Sequence, residues 1–458
     1  MKKMKKVQLI NAPLDAKYYQ SLRTGTFPPL NLGILASYLK QSINDCEVEL
    51  FDGEIDDLNF IINQLDAEFI GINCNTLTYQ TALKIAQAAS RIGSKVILGG
   101  PFASCFPERI LKNQEFIDCI VVGDGEESLK LIVENQPNEN IPNLAYRKCN
   151  SIVQNKSIKT NISPMALPDY CNLPLKKYFK NHVERYADFK PFSASLPIYS
   201  KKGCEWRDKT NGGCVFCMIP HFGVTFKNPK HIWNEILYYN EIHGVTFFWD
   251  VSDSFADNYE WLLSFKEAKP KSLDVALSIY ARANSITKQT VRLFKEVGVF
   301  EVFIGAESGD NKILQNTQKG ITTEITKRAI NLLREEGIKV IVSFVLGLPG
   351  ENLTTLQKTV SFAKELSEYE NIDETSTSIM FPIPGSKAFD NLMKYKGMNE
   401  KYSSDILDYE QLKRDWLNHI TDIDYDTLRY AENEITNYFD LNNSFSRPKE
   451  QVLSVFYC

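Results

Sequence analysis

Short apolar runs alternate with amphipathic stretches along the first third of the chain. Val7–Ile10, Glu47–Phe51, Phe69–Asn73, Lys95–Leu98 and Ile117–Val122 are four to six residues long and end at Asn, Asp, Gly or Pro. Runs of this length predict parallel strands buried on both faces. Leu30–Gln41, Leu58–Asp66, Thr78–Ile92, Glu108–Lys112 and Glu126–Glu134 fill the gaps with helical spacing. Strand and helix in alternation predict an α/β fold with a doubly wound sheet, whose ligands sit beyond the carboxyl ends of the strands. Those ends carry Asn11-Ala12-Pro13, Asp52-Gly53, Asn73-Cys74-Asn75-Thr76, Gly99-Gly100-Pro101 and Gly123-Asp124-Gly125-Glu126.

The pattern breaks where Pro137, Pro142, Pro164, Pro168, Pro174, Pro191 and Pro197 interrupt every element, and residues 141–195 read as a linker after a first domain of residues 1–140. A second alternation follows. Strands are expected at Pro197–Ser200, Val245–Asp250, Asp274–Tyr280, Glu301–Ala306, Val340–Leu346 and Thr375–Phe381, with helices at His231–His243, Tyr259–Lys266, Thr287–Val297, Thr322–Glu336 and Leu353–Ser367. Six strands and five helices predict a partial, open-sided barrel over residues 196–385, with its site at the carboxyl ends of the strands. Residues 386–458, with Tyr402, Tyr409, Trp416, Tyr425 and Tyr430, predict a small helical cap that closes the barrel mouth.

Composition narrows the function class. The 458 residues suffice for two or three domains with full cores. A formal charge of −5, with Lys and Arg spread over all elements, gives no nucleic-acid footprint. No apolar run reaches the ~18 residues of a membrane-spanning helix. The basic Met1–Lys6 leads into a short strand-like run and is too short for a signal peptide. Ten cysteines are scattered apart from three, which predicts a reducing, cytoplasmic setting.

Those three stand as Cys204-x9-Cys214-x2-Cys217. Three thiolates hold three corners of a four-iron cluster and leave one iron open to a small molecule. With His221 as a fourth ligand the same thiols also suit a structural zinc ion, and the spacing alone leaves both readings standing.

Further motifs fall in a recognisable order. Phe27-Pro28-Pro29-Leu30-Asn31-Leu32-Gly33, Leu98–Ser104 and Val122–Glu127 resemble loops of a cobalamin-binding domain. Trp249–Phe255, Ile304–Gly309 and Val345–Glu351 resemble signatures of a radical S-adenosylmethionine (SAM) barrel. Together they resemble the cobalamin-dependent branch of the radical SAM enzymes over most of residues 7–385. The resemblance implies a Rossmann-like cobalamin domain, a TIM-like partial (β/α)6 barrel, and a 4Fe-4S cluster on Cys204, Cys214 and Cys217. It implies SAM at Phe216, Asp250, Ser252, Asp253, Arg282, Glu307, Ser308, Ser343 and Gly347. Among these, Phe216 lies against the adenine, Arg282 reaches the carboxylate, Glu307 and Ser308 take the amino group and ribose, and the Ser343–Gly347 strand supports the adenine. Cobalamin is implied at Asn73, Cys74, Asn75, Thr76, Leu77, Gly99, Gly100, Pro101, Phe102, Ala103, Ser104, Gly123, Gly125 and Glu126. No residue is singled out as a catalytic acid, base or nucleophile.

By the same resemblance the expected activity is reductive cleavage of SAM to a 5′-deoxyadenosyl radical, followed by methylation of an unactivated carbon from methylcobalamin. The expected partners are a small-molecule or peptide substrate and a reductant such as flavodoxin or ferredoxin, with no nucleic acid and no membrane. A cyclisation, ring contraction or other rearrangement with the same cofactors is an alternative. Two more distant ones are a methylthiotransferase with a second cluster on Cys46, Cys74 and Cys105, and a non-enzymatic cofactor carrier. Two departures stand out. The family's first cysteine gap holds three residues and this one holds nine, which marks the insert as a place for substrate specificity. No histidine occurs in the first 181 residues, and Phe102 stands where relatives often carry one. Any bound cobalt therefore has a lower face that is open, water-bound or met by a residue of the Asn73–Leu77 loop.

Overall fold

The computed structural model describes residues 4–15, 25–161, 167–170, 172–186, 192–219 and 223–442. The chain divides into two compact units, Met1–Ala187 with Ser403–Ile406, and Asp188–Tyr402 with Leu407–Cys458.

The first unit is built on a seven-stranded sheet of Lys5–Asn11 (β1), Cys46–Asp52 (β2), Phe69–Asn73 (β3), Lys95–Gly99 (β4), Cys119–Val121 (β5), Leu144–Lys148 (β6) and Ser151–Gln154 (β7). Its order is β2-β1-β3-β4-β5-β6-β7. The first five strands run parallel, and their apolar residues are buried, among them Val7, Leu9 and Ile10 of β1 and Val96 and Leu98 of β4. The helices Leu30–Ser42 and Tyr79–Arg91 cover it with small and aliphatic faces such as Ala82, Ile85, Ala86 and Ala89. In-register pairing brings Asp52, Asn11, Asn73 and Gly99 to one carboxyl edge. The strand order reverses direction at β1, so the ligand crevice of such a sheet falls between β1 and β3.

Residues 141–195, read as a linker, include structure that the sequence reading left out. β6 and β7 extend the sheet as an antiparallel hairpin. Arg147 fastens it: Nη1 donates to the Ile117 carbonyl at 2.6 Å, and Nη2 donates to those of Leu111 and Gln114 at 2.7 Å each. A helix, Leu175–Tyr186, follows.

The second unit contains Ser195–Ile198 (β8), a two-stranded ribbon of Lys201–Lys202 (β9) and Thr225–Phe226 (β10), then Phe247–Asp250 (β11), Ala276–Tyr280 (β12), Val299–Glu307 (β13), Lys339–Leu346 (β14) and Ile372–Ile379 (β15). β8 and β11–β15 form one parallel sheet in chain order. Every residue of β14 after Lys339 is buried, as a strand covered on both faces requires. Five helices alternate with these strands: Pro229–His243, Tyr259–Ala268, Lys288–Val297, Thr323–Glu335 and Leu353–Ser367. Their starts are fixed by side-chain caps from Asn228, Asn258, Thr287, Thr322 and Asn352. The alternation therefore yields the expected half-barrel. Beyond it lie the helices Lys387–Leu392, Met398–Lys401, Tyr409–Ile420 and Tyr425–Asn442. Among the described residues no helix is long and apolar enough to cross a membrane.

Candidate functional site

The cysteine loop starts where β8 ends, and its first residues are tied to the next strand. Ser252 Oγ accepts from the Ser200 and Lys201 N–H groups at 2.8 and 3.0 Å, and Asp253 accepts from Gly203 N at 2.7 Å. Asp250 is buried and takes the Ser252 N–H at 2.9 Å. Burial raises its carboxyl pKa, with Ser252 and Ser200 opposing. Asp250, Ser252 and Asp253 thus anchor the approach to Cys204, and only Asp250 Oδ2 of that carboxyl lacks a partner.

Cys204 precedes a single helical turn, Glu205–Lys209, that occupies half of the nine-residue gap. Burial pushes its thiol upward, against the N–H of Arg207 and the charge of Arg282. Gly212 and Gly213, at φ 115° and 70°, turn the chain back to Cys214. From there the loop is pinned: Val215 N donates to the Thr317 carbonyl at 2.9 Å, and Lys387 Nζ donates to the Gly213 carbonyl at 3.2 Å.

β13 supplies the opposite side of this site. Its register slips between Gly305 and Glu307, and Glu307 sits at φ +62°. A bulge with a non-glycine residue in the left-handed region costs on the order of 1–3 kcal/mol and is characteristic of functional sites. Here it presents the Glu307 carboxylate to Lys319, at 2.5 Å. Gly305 leaves the room, since a Cβ there would lie 2.2 Å from Glu307 Oε1. Burial alone would lower the Lys319 pKa, but Glu307 and Cys214 together raise it. Its Nζ also lies 5.7 Å from the ring centre of Phe216, which is buried between two cysteines.

Arg282 follows β12. Nη1 reaches Cys214 Sγ at 3.8 Å and Nη2 donates to the Lys319 carbonyl, while the buried Nε has no partner. Glu307 Oε2 is likewise buried and unpartnered. One orphaned donor and one orphaned acceptor, both braced on Lys319, are the demand of a ligand bearing a carboxylate and an ammonium group.

Three further expected residues lie on β14 and in the turns that follow β13 and β14. The Ser308 hydroxyl lies 3.1 Å from Thr359 Oγ1, on the outer helix Leu353–Ser367. Ser343 sits in register between Gly305 and Ser376. Gly347, at φ +80°, accepts at its carbonyl from Trp416 Nε1 at 2.8 Å, and a Cβ would strike Leu417. The helix Tyr409–Ile420 therefore seats on the carboxyl end of β14. Of the aromatic tail, Tyr402, Tyr409 and Trp416 are buried and Tyr430 is exposed.

The same turn buries Glu351, whose carboxylate accepts from Gly347 N and has a second oxygen without a partner. Burial lifts its pKa from 4.5 to about 7. The folded value exceeds the unfolded one, so the stability it contributes is full below pH 4.5 and is lost as the pH rises through 7. Glu351→Gln is expected to remove that loss, on the order of 3 kcal/mol, from urea unfolding curves recorded between pH 5 and 8.

In the first unit the expected residues gather on the carboxyl edge as three interlocked turns. Cys74 N donates to the Gly99 carbonyl at 3.0 Å, Ser104 Oγ to the Gly100 carbonyl at 2.9 Å, and Gly123 N to Ser104 Oγ at 3.1 Å. Asn75 closes its own turn by accepting from Leu77 N at 2.9 Å and Thr78 N at 3.1 Å, with Thr76 and Leu77 half-buried beside it. A Cβ on Gly123 would meet nothing within 4 Å, and on Gly99 only the Val121 carbonyl at 3.9 Å, so this edge is open to a broad ligand. Pro101 and Gly125 are half-buried on it. Phe102 and Ala103 point into the core, with Phe102 packed 4.4 Å from the ring of Tyr79. Glu126 is buried and accepts from Thr160 Oγ1 at 3.1 Å.

Comparison with known proteins matches each unit separately. Residues 21–133 match the B12 binding domain and residues 203–363 the radical SAM superfamily. The chain carries both domains. It is 27% identical over 406 residues to an uncharacterized methyltransferase of Pyrococcus horikoshii, covering 85% of this chain and 83% of that one. An anaerobic magnesium-protoporphyrin IX monomethyl ester cyclase of Rubrivivax gelatinosus is 26% identical over 391 residues, covering 80% and 67%. Among solved structures, the radical SAM methyltransferase TsrM of Kitasatospora setae, with cobalamin and a [4Fe-4S] cluster bound, superposes with a TM-score of 0.66 at 18% identity, covering 85% and 78%.

Within the radical SAM domain, His221 lies outside the described residues, and among those described no three His, Cys, Asp or Glu side chains gather to hold one metal ion. In the B12-binding domain Cys46 opens β2 while Cys74 follows the end of β3. These are opposite edges of the sheet, about 20 Å apart along a seven-residue strand, so Cys46, Cys74 and Cys105 do not share a cluster.

The bonding of several polar groups emerges only from the fold. Lys319, Gln318 and Lys387 belong to none of the motifs read in the sequence. On the B12-binding edge, Asn73 Nδ2 donates to Asn11 Oδ1 at 3.0 Å, Asn11 Nδ2 to Asp52 at 2.9 Å, and Tyr178 Oη to Asp52 at 2.6 Å. Burial, against the bonds from Tyr178 and Asn11, raises Asp52 from 3.8 to about 6.

Proposed function

We propose that this chain is a cobalamin-dependent radical SAM C-methyltransferase acting on an unactivated carbon of a small molecule or peptide. The observation that carries the reading is the paired deficit at Arg282 Nε and Glu307 Oε2 beside the cysteine loop. It matches the carboxylate and amino group of the methionine half of SAM. When bound, the cluster supplies the electron that cleaves SAM, and cobalamin supplies the methyl group.

In this reading Cys204, Cys214 and Cys217 hold three corners of the 4Fe-4S cluster. Arg282 and Lys319 face the SAM carboxylate, Glu307 takes the amino group, and Phe216 lies against the adenine. Ser308 has no place in it, because its hydroxyl is committed to Thr359. On the other domain, Gly99 and Gly123 let backbone come close to the corrin ring, Gly100 makes room for Asn73 and Cys74 behind them, and Asn73 is held in one orientation by Asn11. Phe102 is packed on Tyr79 in the core and carries no ligand atom, so the Asn73–Leu77 loop and the Gly99–Pro101 turn would be what borders a bound cobalamin. The protein orients its cofactors and excludes water. A low-potential reductant of the flavodoxin or ferredoxin class would supply the electron.

The kinship with a cyclase supports a second outcome, ring formation with the same cofactors. Anaerobic turnover separates the two. Methylation yields both 5′-deoxyadenosine and S-adenosylhomocysteine with a product one methyl heavier. Deoxyadenosine alone would sink the methyltransferase reading, and protein that cannot be loaded with cobalt would sink the cobalamin role altogether.

A further inference from the structure

The nine-residue gap between Cys204 and Cys214 delivers one aromatic side chain to the cysteine site. Trp206 lies on its single helical turn, and Nε1 donates to the Gln318 carbonyl at 2.8 Å. Its ring fills a slot left by Gly320, where a Cβ would stand 2.2 Å from the indole. Gln318 and Gly320, at φ +56° and +70°, are bent to form that slot. The Arg282 guanidinium lies over the indole, 4.7 Å from the ring centre.

Arg282 is thus held on three sides. Its plane rests on Trp206, Nη2 donates to the Lys319 carbonyl, and Nη1 points at Cys214 Sγ at 3.8 Å. A guanidinium suits this arrangement because it stacks and donates along two directions at once, which an ammonium group cannot do. Lys319 is locked beside the same sulfur by Glu307, and Lys387 bonds both the Gly213 carbonyl and Gln318 Oε1 at 2.7 Å. Among the described residues, Arg282 therefore donates to the Cys214 sulfur, with the Lys319 charge beside it.

A thiolate-ligated cluster gains negative charge on reduction. Hydrogen bonds to its sulfurs and nearby cations favour the reduced form and raise its potential. We propose that the insert exists to clamp Arg282 onto Cys214, with Trp206 as the positioning residue, and that this clamp sets the reduction potential of the cluster. The long first gap then serves electron transfer in place of the substrate recognition expected from the sequence. The inference rests on the reading that Cys204, Cys214 and Cys217 hold a four-iron cluster.

The test is an anaerobic redox titration of the reconstituted full-length protein without SAM, followed by electron paramagnetic resonance of the reduced cluster. Arg282→Gln and Trp206→Ala are each expected to lower the reduced-to-oxidised ratio at a given potential about tenfold, a shift of about 59 mV to more negative values for one electron. Trp206→Phe keeps an aromatic face and is expected to hold the wild-type potential, while Arg282→Lys falls between. Should Arg282→Gln fail to retain iron, Trp206→Ala and Arg282→Lys decide the matter. A cluster that assembles in these variants with an unmoved potential overturns the clamp and leaves the cluster reading intact. Wild-type protein that takes up no iron overturns both.

Discussion

Cys214→Ala is expected to abolish iron binding, from about four iron atoms per chain to fewer than one, and with it all reductive cleavage of SAM. The expectation rests on how the loop is built. Cys214 is buried, its neighbour Val215 is tied to Thr317, and Cys217 N donates to the Cys214 carbonyl at 3.1 Å, so both sulfurs are presented by one short turn. Removing a thiolate leaves two protein ligands, and among the described residues every other cysteine belongs to the first unit. Cys149, exposed in the turn between β6 and β7, is the control, and Cys149→Ala should keep its full iron complement. Iron analysis with the absorption spectrum of anaerobically prepared protein checks both. Zinc in place of iron in the wild-type chain would refute the cluster assignment.

Gly100→Ala is expected to cost about 4 kcal/mol or more and to abolish cobalamin loading, whereas Gly123→Ala should cost only about 1 kcal/mol while still impairing loading. Both glycines have positive φ, +95° and +84°. They differ in surroundings. A Cβ at Gly100 would stand 2.5 Å from Asn73 Oδ1 and the Cys74 carbonyl and 2.8 Å from Cys74 N, which are mostly backbone atoms that cannot yield. At Gly123 it would meet nothing. The pair therefore separates folding from binding: one methyl collides with the protein, the other projects from the open edge. Urea unfolding reports the first effect, and cobalt content with the cobalamin absorption bands reports the second. Normal loading of Gly123→Ala would place the corrin away from this turn.

Much of the fold was legible because parallel strands buried on both faces write themselves as unbroken apolar runs. Phe69–Asn73 and Leu353–Ser367 have the predicted ends. The β6–β7 hairpin was missed for the converse reason. Its last strand, Ser151–Gln154, has no buried residue, and the segment is crowded with prolines. The helix Leu175–Tyr186 was hidden by its polarity, with only Tyr178 and His182 buried. At the site, cysteines close in sequence were visible as a set, but the Trp206–Gln318 and Arg282–Cys214 contacts join residues 112 and 68 positions apart, and no local pattern encodes them. Asp250, Ser252 and Ser308 show the opposite limit. Their motifs were recognisable, yet their hydroxyl and carboxylate groups mainly brace the backbone or the outer helices.

The half-barrel has two edges, β8 and β15, that do not pair with each other among the described residues. In a closed barrel the strand number fixes the diameter, and hence the largest guest the lumen admits. A wall that stops at six strands has no such calibre. The strand count then sets no upper limit on a guest, and exchanging residues 386–442, which follow β15, tests whether that segment does.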